Sequence, residues 1–209
     1  MYPIIRKILF LFDPEKVHYF TMNSLSFLLK IGFFRRIFKY QYVLDDNELK
    51  THAFGLDFKN PVGLAAGFDK NARYIDELSY CGFGFIEIGT LTPKGQAGNP
   101  KKRLFRLKSD HGIINRMGFN NDGVEKVSQR LQKNSPNGFL GINIGPNKDT
   151  ENRINDYLKC IKEINAFANY ITINISSPNT PGLRDFHDHS SLNNLLKDIT
   201  EFTHKNKIY

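Results

Sequence analysis

Gly112 to Asn121 sets Asn115, Asn120, Asn121 and Arg116 around Met117 and Phe119. Amide donors and acceptors beside an apolar lid suit a small, flat, polar ligand with imide and carboxylate groups, because one carboxamide presents both halves of a hydrogen bond. Lys70, after Gly67-Phe68-Asp69, would answer the carboxylate, and Asn143, Asn174 and Asn179 add amides whose charge does not change with pH. Taken alone these residues are ordinary. Ser177 in Ser176-Ser177-Pro178-Asn179 reads as a turn residue, Lys70 as a surface lysine and the glycines as turn geometry.

The elements that must carry these groups follow a rhythm. Short apolar strands are expected at 62–67, 84–89, 139–145 and 170–176, with helices near 73–80, 123–132, 151–167 and 191–204. A long excursion, 91–121, interrupts the second unit, and 99–108 alternates partly, like a hairpin. Strands alternating with helices predict parallel βαβ construction. Each strand ends in Gly or a small polar residue, which puts the chemistry at strand carboxyl ends, the habit of the (β/α)₈ barrel. A doubly wound sheet shares that habit, but the first strand lacks G-x-G-x-x-G. Four units fall well short of the ~250 residues of a complete barrel. The expectation is therefore α/β: the front half of a (β/α)₈ TIM barrel over 53–209, cut from a longer chain. On its own such a half would leave two sheet edges and one apolar face uncovered.

Residues 1–40 hold seven Lys/Arg against two acids and ten of the 27 aromatics of a chain whose net charge is +8. A basic, aromatic-rich end predicts an anionic membrane surface as partner, and no nucleic-acid motif follows it. The longest uncharged run of these forty residues, Val17 to Leu29, is thirteen residues, against the roughly 20 of a spanning helix. Two short helices are expected instead. Asp13 is the N-cap and Pro14 the first helical residue, with Val17, Phe20, Ser24, Phe27, Leu28 and Ile31 on one face. After Gly32, the pairs Phe33-Phe34 and Arg35-Arg36 suit a helix lying in a membrane interface; the plainer alternative is a helical cap packed on its own domain. Residues 41–52 read as a linker. The two cysteines, Cys81 and Cys160, build neither a disulfide framework nor a four-Cys zinc site, and the histidines have no metal-ligand spacing, so no metal is expected.

Six motifs in order carry a resemblance: Asn60-Pro-Val-Gly-Leu-Ala-Ala-Gly-Phe-Asp-Lys70, Ile86-Glu-Ile-Gly-Thr90, Arg103-Leu-Phe-Arg106, Ile114-Asn-Arg-Met-Gly-Phe-Asn-Asn121, Gly141-Ile-Asn-Ile-Gly145 and Asn174-Ile-Ser-Ser-Pro-Asn-Thr-Pro-Gly-Leu-Arg184. Together they resemble the dihydroorotate dehydrogenases. The opening Asp13-Pro-Glu with His18 and the basic helical cap resembles the quinone-dependent class (class 2), as does serine at 177, where the soluble class carries cysteine.

The resemblance implies an FMN-containing barrel that oxidises dihydroorotate to orotate in pyrimidine synthesis and passes electrons to a membrane quinone. Ser177 would be the catalytic base, with Thr180 and Phe119 in its proton path. Lys70, Asn115, Arg116, Met117, Gly118, Phe119, Asn174 and Asn179 would bind substrate. Ala66, Gly67, Phe68, Asp69, Lys70, Thr90, Asn143 and Asn174 would contact FMN, and His18 and Arg106 would face the quinone. It also implies a monomer, peripheral on the cytoplasmic side of the cell inner membrane. The other readings are a soluble FMN oxidoreductase homologue using another acceptor, and a non-catalytic fragment.

Overall fold

The computed structural model describes residues 2–134 and 138–208. Three helices come first: α1 (Tyr2–Leu9), α2 (Pro14–Leu29) and α3 (Gly32–Tyr42). The N-cap reading of Asp13 holds, since its carboxylate accepts the Lys16 N–H at 3.0 Å with Pro14 opening the helix. The expected apolar face of α2 does not hold. The inward positions are Glu15, His18, Met22, Leu25 and Leu29, at spacings of three and four, whereas Phe20 and Phe27 are 65% and 72% exposed. The charged Glu15 belongs to the inner face because it has a buried partner there, which an apolar count overlooks. Helix α1 was not anticipated, and α3 runs past residue 40. The stretch read as a linker contains a 3₁₀ turn at Asn47–Leu49, and the first strand begins at Thr51.

A small hairpin follows, β1 (Thr51–Ala53) with β2 (Leu56–Phe58). Then come β3 (Gly63–Leu64), α4 (Ile75–Ser79), β4 (Phe85–Leu91), β5 (Leu104–Leu107), β6 (Gly112–Asn115), α5 (Val124–Lys133), β7 (Leu140–Ile144), α6 (Arg153–Ile164), β8 (Tyr170–Ile173) and α7 (His189–Asn206). The strands β3-β4-β7-β8 form one all-parallel sheet in that order, as the alternation of strands and helices predicts. The hairpin expected within 99–108 lies further on. Its strands are β5 and β6, so Asn115 ends a strand where an open loop was expected.

Parity along the strands separates the two faces of the sheet. Ile86, Ile88, Leu91, Leu140, Ile142 and Ile144 point to the helices and pack on Val127, Leu131, Tyr157, Ile161 and Ile164, all at most 4% exposed. Each fully buried aliphatic side chain contributes roughly 1.5–3 kcal/mol. The opposite face carries Glu87, Asn143 and Tyr170, with aromatic rings at its amino end: Phe58 lies 5.1 Å from Phe85 and 4.8 Å from Phe139, centroid to centroid. Strand β7 is buried on both faces, as a central parallel strand should be.

Candidate active site

The register of β4 against β7 slips between Ile88 and Leu91. Ile88 pairs with Ile142, but Leu91 pairs with Ile144, so β4 carries one extra residue. Gly89 absorbs it at φ +103°, a conformation in which a side chain is strained. The bulge turns Thr90 onto the inner face beside Asn143 and returns Leu91 to the core. At the carboxyl ends of β4, β7 and β8 a polar layer results. The Thr90 hydroxyl donates to Asn143 Oδ1 at 2.6 Å, and Asn174 Nδ2 donates to Asn143 Oδ1 at 3.1 Å and Thr90 Oγ1 at 3.2 Å. Asn143 Nδ2 donates to Glu87 Oε1 at 2.9 Å, and the Tyr170 hydroxyl donates to Glu87 Oε2 at 3.0 Å. Burial, with the Glu87 charge added, pushes the Tyr170 phenol well up, so it stays a donor.

The β3–α4 loop closes one side. The Lys70 ammonium donates to the Gly67 carbonyl at 2.9 Å. Burial holds its pKa below the usual lysine value, the nearby Arg103 cation pushes in the same direction, and Glu15 opposes them. Asp69, only 2% exposed, accepts backbone N–H groups from Asn71, Arg73 and Tyr74. Its carboxylate is thereby committed to shaping the loop. Exposed Phe68 lies edge-on to His18 at 4.7 Å, and burial lowers the imidazole pKa.

The 112–121 segment is held as tightly as its carbonyls allow. Asn99 takes the Arg116 carbonyl through its side chain (2.9 Å) and the Met117 carbonyl through its backbone N–H (3.0 Å), and Gln96 takes the Gly118 carbonyl at 3.1 Å. The Arg116 guanidinium donates to the Lys102 carbonyl, so it grips backbone. Exposed Asn115, at the end of β6, has no hydrogen bond from its side chain among the described residues. Phe119, at φ +51°, sets its ring against Gly145 beside the Thr90 methyl.

Ser177 lies in the loop after β8, half-buried, accepting the Asn179 N–H at 3.3 Å. Thr180 is buried in the same loop. Among the described residues no hydrogen bond joins Ser177 to Thr180 or Phe119. Arg106 lies on the helical-cap side of β5, donating to the Phe12 carbonyl at 2.8 Å with its guanidinium carbon 4.4 Å from the centre of the Phe10 ring. A groove of about 290 Å³ runs there between Phe10–Pro14 and β5.

Three contributors were given no site role by the sequence alone. Glu87 sits inside an apolar strand pattern, Asn121 ties Thr92, Phe119 and Gly123 together, and Arg103 pairs with Glu15 from 88 residues away. The motif spacing pointed to Arg103 and Asn121 as neighbours of chosen residues. Glu87 has no sequence signal other than its alternation in β4.

The model of the family described as dihydroorotate dehydrogenase matches residues 48–209. The chain belongs to the dihydroorotate dehydrogenase family. It is 50% identical over 206 residues, 98% of its length, to a Christiangramia forsetii protein named dihydroorotate dehydrogenase (quinone), of which it covers 60%. A protein of the same name from Idiomarina loihiensis is 51% identical over 95% of this chain and 59% of its own length. The crystal structure of DHODH in complex with ferulenol from Eimeria tenella aligns at TM-score 0.79 and 43% identity, over 92% of this chain and 52% of that one. The chain thus spans about 60% of the curated relatives it matches. The parallel β/α sheet and these dehydrogenase neighbours place the fold among the TIM-barrel proteins.

Dihydroorotate dehydrogenases use a flavin, and the residues at the strand ends fit one. Ala65, Ala66 and Gly67 present backbone with little side chain, and a Cβ on Gly67 would meet only the Lys70 ammonium at 3.5 Å. That is an open shelf bordered by a cation, facing an amide and hydroxyl layer that can both give and accept hydrogen bonds, as the edge of an isoalloxazine requires.

Proposed function

We propose that this chain forms the substrate and flavin face of a quinone-linked dihydroorotate dehydrogenase, oxidising dihydroorotate to orotate with FMN and a membrane quinone as successive acceptors. The observation that carries it is the Thr90–Asn143–Asn174 layer, set between the Lys70 shelf and the Ser177 loop in a chain half identical to relatives of that name. When bound, FMN supplies the hydride acceptor. The residues of the chain do the rest. Asn115, Met117, Gly118 and Phe119 cover the pyrimidine ring, Asn174 and Asn179 orient its amides, and Lys70 answers its carboxylate. The Ser177 oxygen takes the proton from substrate C5 as its own hydroxyl proton is handed on through Thr180 to solvent. A serine hydroxyl is a weak base, so exclusion of water by Phe119 and the loop is part of its function.

The four β/α units are read as the front half of an eight-unit barrel. The three N-terminal helices are its membrane-associating cap, on the cytoplasmic face of the inner membrane, with a monomer as the working unit. Support for the cap comes from exposed Ile4, Ile8, Phe20, Phe27, Phe33 and Ile37 together with Arg35, Arg36 and Lys39. Among the described residues no helix is long and apolar enough to cross a membrane. His18 beside the flavin loop and Arg106 at the groove line the route proposed for the quinone.

Ser177→Ala in the flavin-loaded protein tests the chemistry. Stopped-flow flavin reduction by dihydroorotate should slow by roughly 10²–10⁴-fold while orotate affinity is kept. An unchanged reduction rate would remove Ser177 from the mechanism.

A further inference from the structure

The only charged pair that joins the helical cap to the site through buried side chains is Glu15–Arg103, among the described residues. Both side chains are nearly sealed, at 8% and 5% exposure. Arg103 Nε donates to Glu15 Oε2 at 3.1 Å and Nη2 to Oε1 at 2.7 Å, a two-pronged grip. The remaining nitrogen, Nη1, donates to the carbonyls of Ala97 (2.6 Å) and Asn99 (2.9 Å). One guanidinium therefore folds the 97–103 loop around itself while holding the first turn of α2.

That loop touches the substrate-covering segment at every step. Asn99 holds the carbonyls of Arg116 and Met117, and the Arg103 carbonyl accepts the Arg116 N–H at 2.9 Å. Gly98 packs so closely on the Met117 carbonyl that a Cβ would collide with it. Three of these links are backbone to backbone and the fourth is the short Asn99 carboxamide, so displacement of one end is passed on with little slack.

We propose that Glu15 and Arg103 are positioning residues: the pair transmits the seating of α2 through Asn99 to the 115–118 segment and so sets the affinity for the pyrimidine carboxylate. The proposal rests on the functional reading above for the identity of the ligand. It makes substrate affinity depend on a helix of the cap that touches no substrate. By reciprocity, orotate binding stabilises the docked α2 by the same factor.

The experiment compares Glu15→Gln, Arg103→Lys, the double variant and Ser26→Ala in the flavin-loaded protein. Ser26→Ala breaks a different cap contact, the 2.5 Å bond from Ser26 to Glu77, which leads nowhere near the segment. Orotate dissociation constants are read from flavin absorbance, and amide hydrogen exchange is followed at residues 115–118 and 177–183. Glu15→Gln and Arg103→Lys should each weaken orotate about 5- to 30-fold and speed exchange at 115–118 but not at 177–183. The double variant should be no worse than the poorer single, since both break one path. Arg103→Lys keeps the charge and loses the fork, so it gives a reading even if Glu15→Gln folds poorly. The proposal fails if both single variants bind orotate within twofold of the unsubstituted protein, or if Ser26→Ala weakens orotate as much as they do. If the unsubstituted protein does not bind orotate, the functional reading fails instead, and exchange at 115–118 in Glu15→Gln against Ser26→Ala still decides whether the path exists.

Discussion

At the scale of single residues, buried polar groups in this chain are joined in pairs and layers, and the consequence is a dependence on protonation. Glu15 shows it most clearly. The Arg103 hydrogen bonds hold its carboxyl below the ordinary glutamate range against the opposing effect of burial. A lowered folded value means that the carboxylate contributes its full stabilisation above the unfolded value of 4.5 and loses it as pH falls through the folded one. Docking of α2, followed by protease sensitivity of residues 1–42, should therefore fail as pH falls below the ordinary glutamate range. This comes on top of a gradual loss below 6.5 that the half-buried neutral His18 on the same face brings with or without Glu15. Glu15→Gln should show no such step, because its cap is already loosened at neutral pH by an unpaired Arg103, at a cost of about 3–5 kcal/mol. Loss of docking at the same pH in both proteins would assign the step to another group.

At the scale of elements, the decisive feature is the extra residue in β4. Without it, strand parity would turn Thr90 to the helices, and the polar layer would lose the hydroxyl that bridges Asn143 and Asn174. Gly89 permits the bulge because its φ of +103° and its contact with the Asn143 carbonyl leave no room for a Cβ. Gly89→Ala should cost about 1–3 kcal/mol in a urea titration through backbone strain. It should also weaken orotate, since the layer shifts with it. Destabilisation with unchanged orotate affinity would show that the layer tolerates a straightened strand.

At the scale of the whole molecule, apolar surface is distributed unevenly. The helices α1 to α3 bury one narrow face of α2 and expose large side chains and basic groups around it. Each Lys or Arg near an anionic bilayer contributes about 1 kcal/mol. The Arg35→Gln/Arg36→Gln double variant should therefore bind phosphatidylserine-containing vesicles roughly 30-fold more weakly, and the deficit should shrink as salt rises. Equal cosedimentation of the two proteins would argue for a cap that serves only its own domain.

The order of β/α units, the Asp13 N-cap, the break at Gly32 and the clustering of site residues at strand ends were legible from the chain alone. Each depends on contacts within a few residues, where periodicity and capping act. The six-motif pattern also assigned Lys70, Thr90, Asn143, Asn174 and Ser177 to one end of the sheet. Which face of α2 is buried, where the hairpin pairs, how the bulge turns Thr90 inward, and the partnerships of Glu15 with Arg103 and of Glu87 with Asn143 and Tyr170 were decided only in three dimensions. Apart from the hairpin, whose paired residues are 5 to 11 positions apart, those outcomes depend on residues 50 to 90 positions apart. A buried charge or a shifted register becomes favourable only when its distant partner is in place, and no local pattern records that partner.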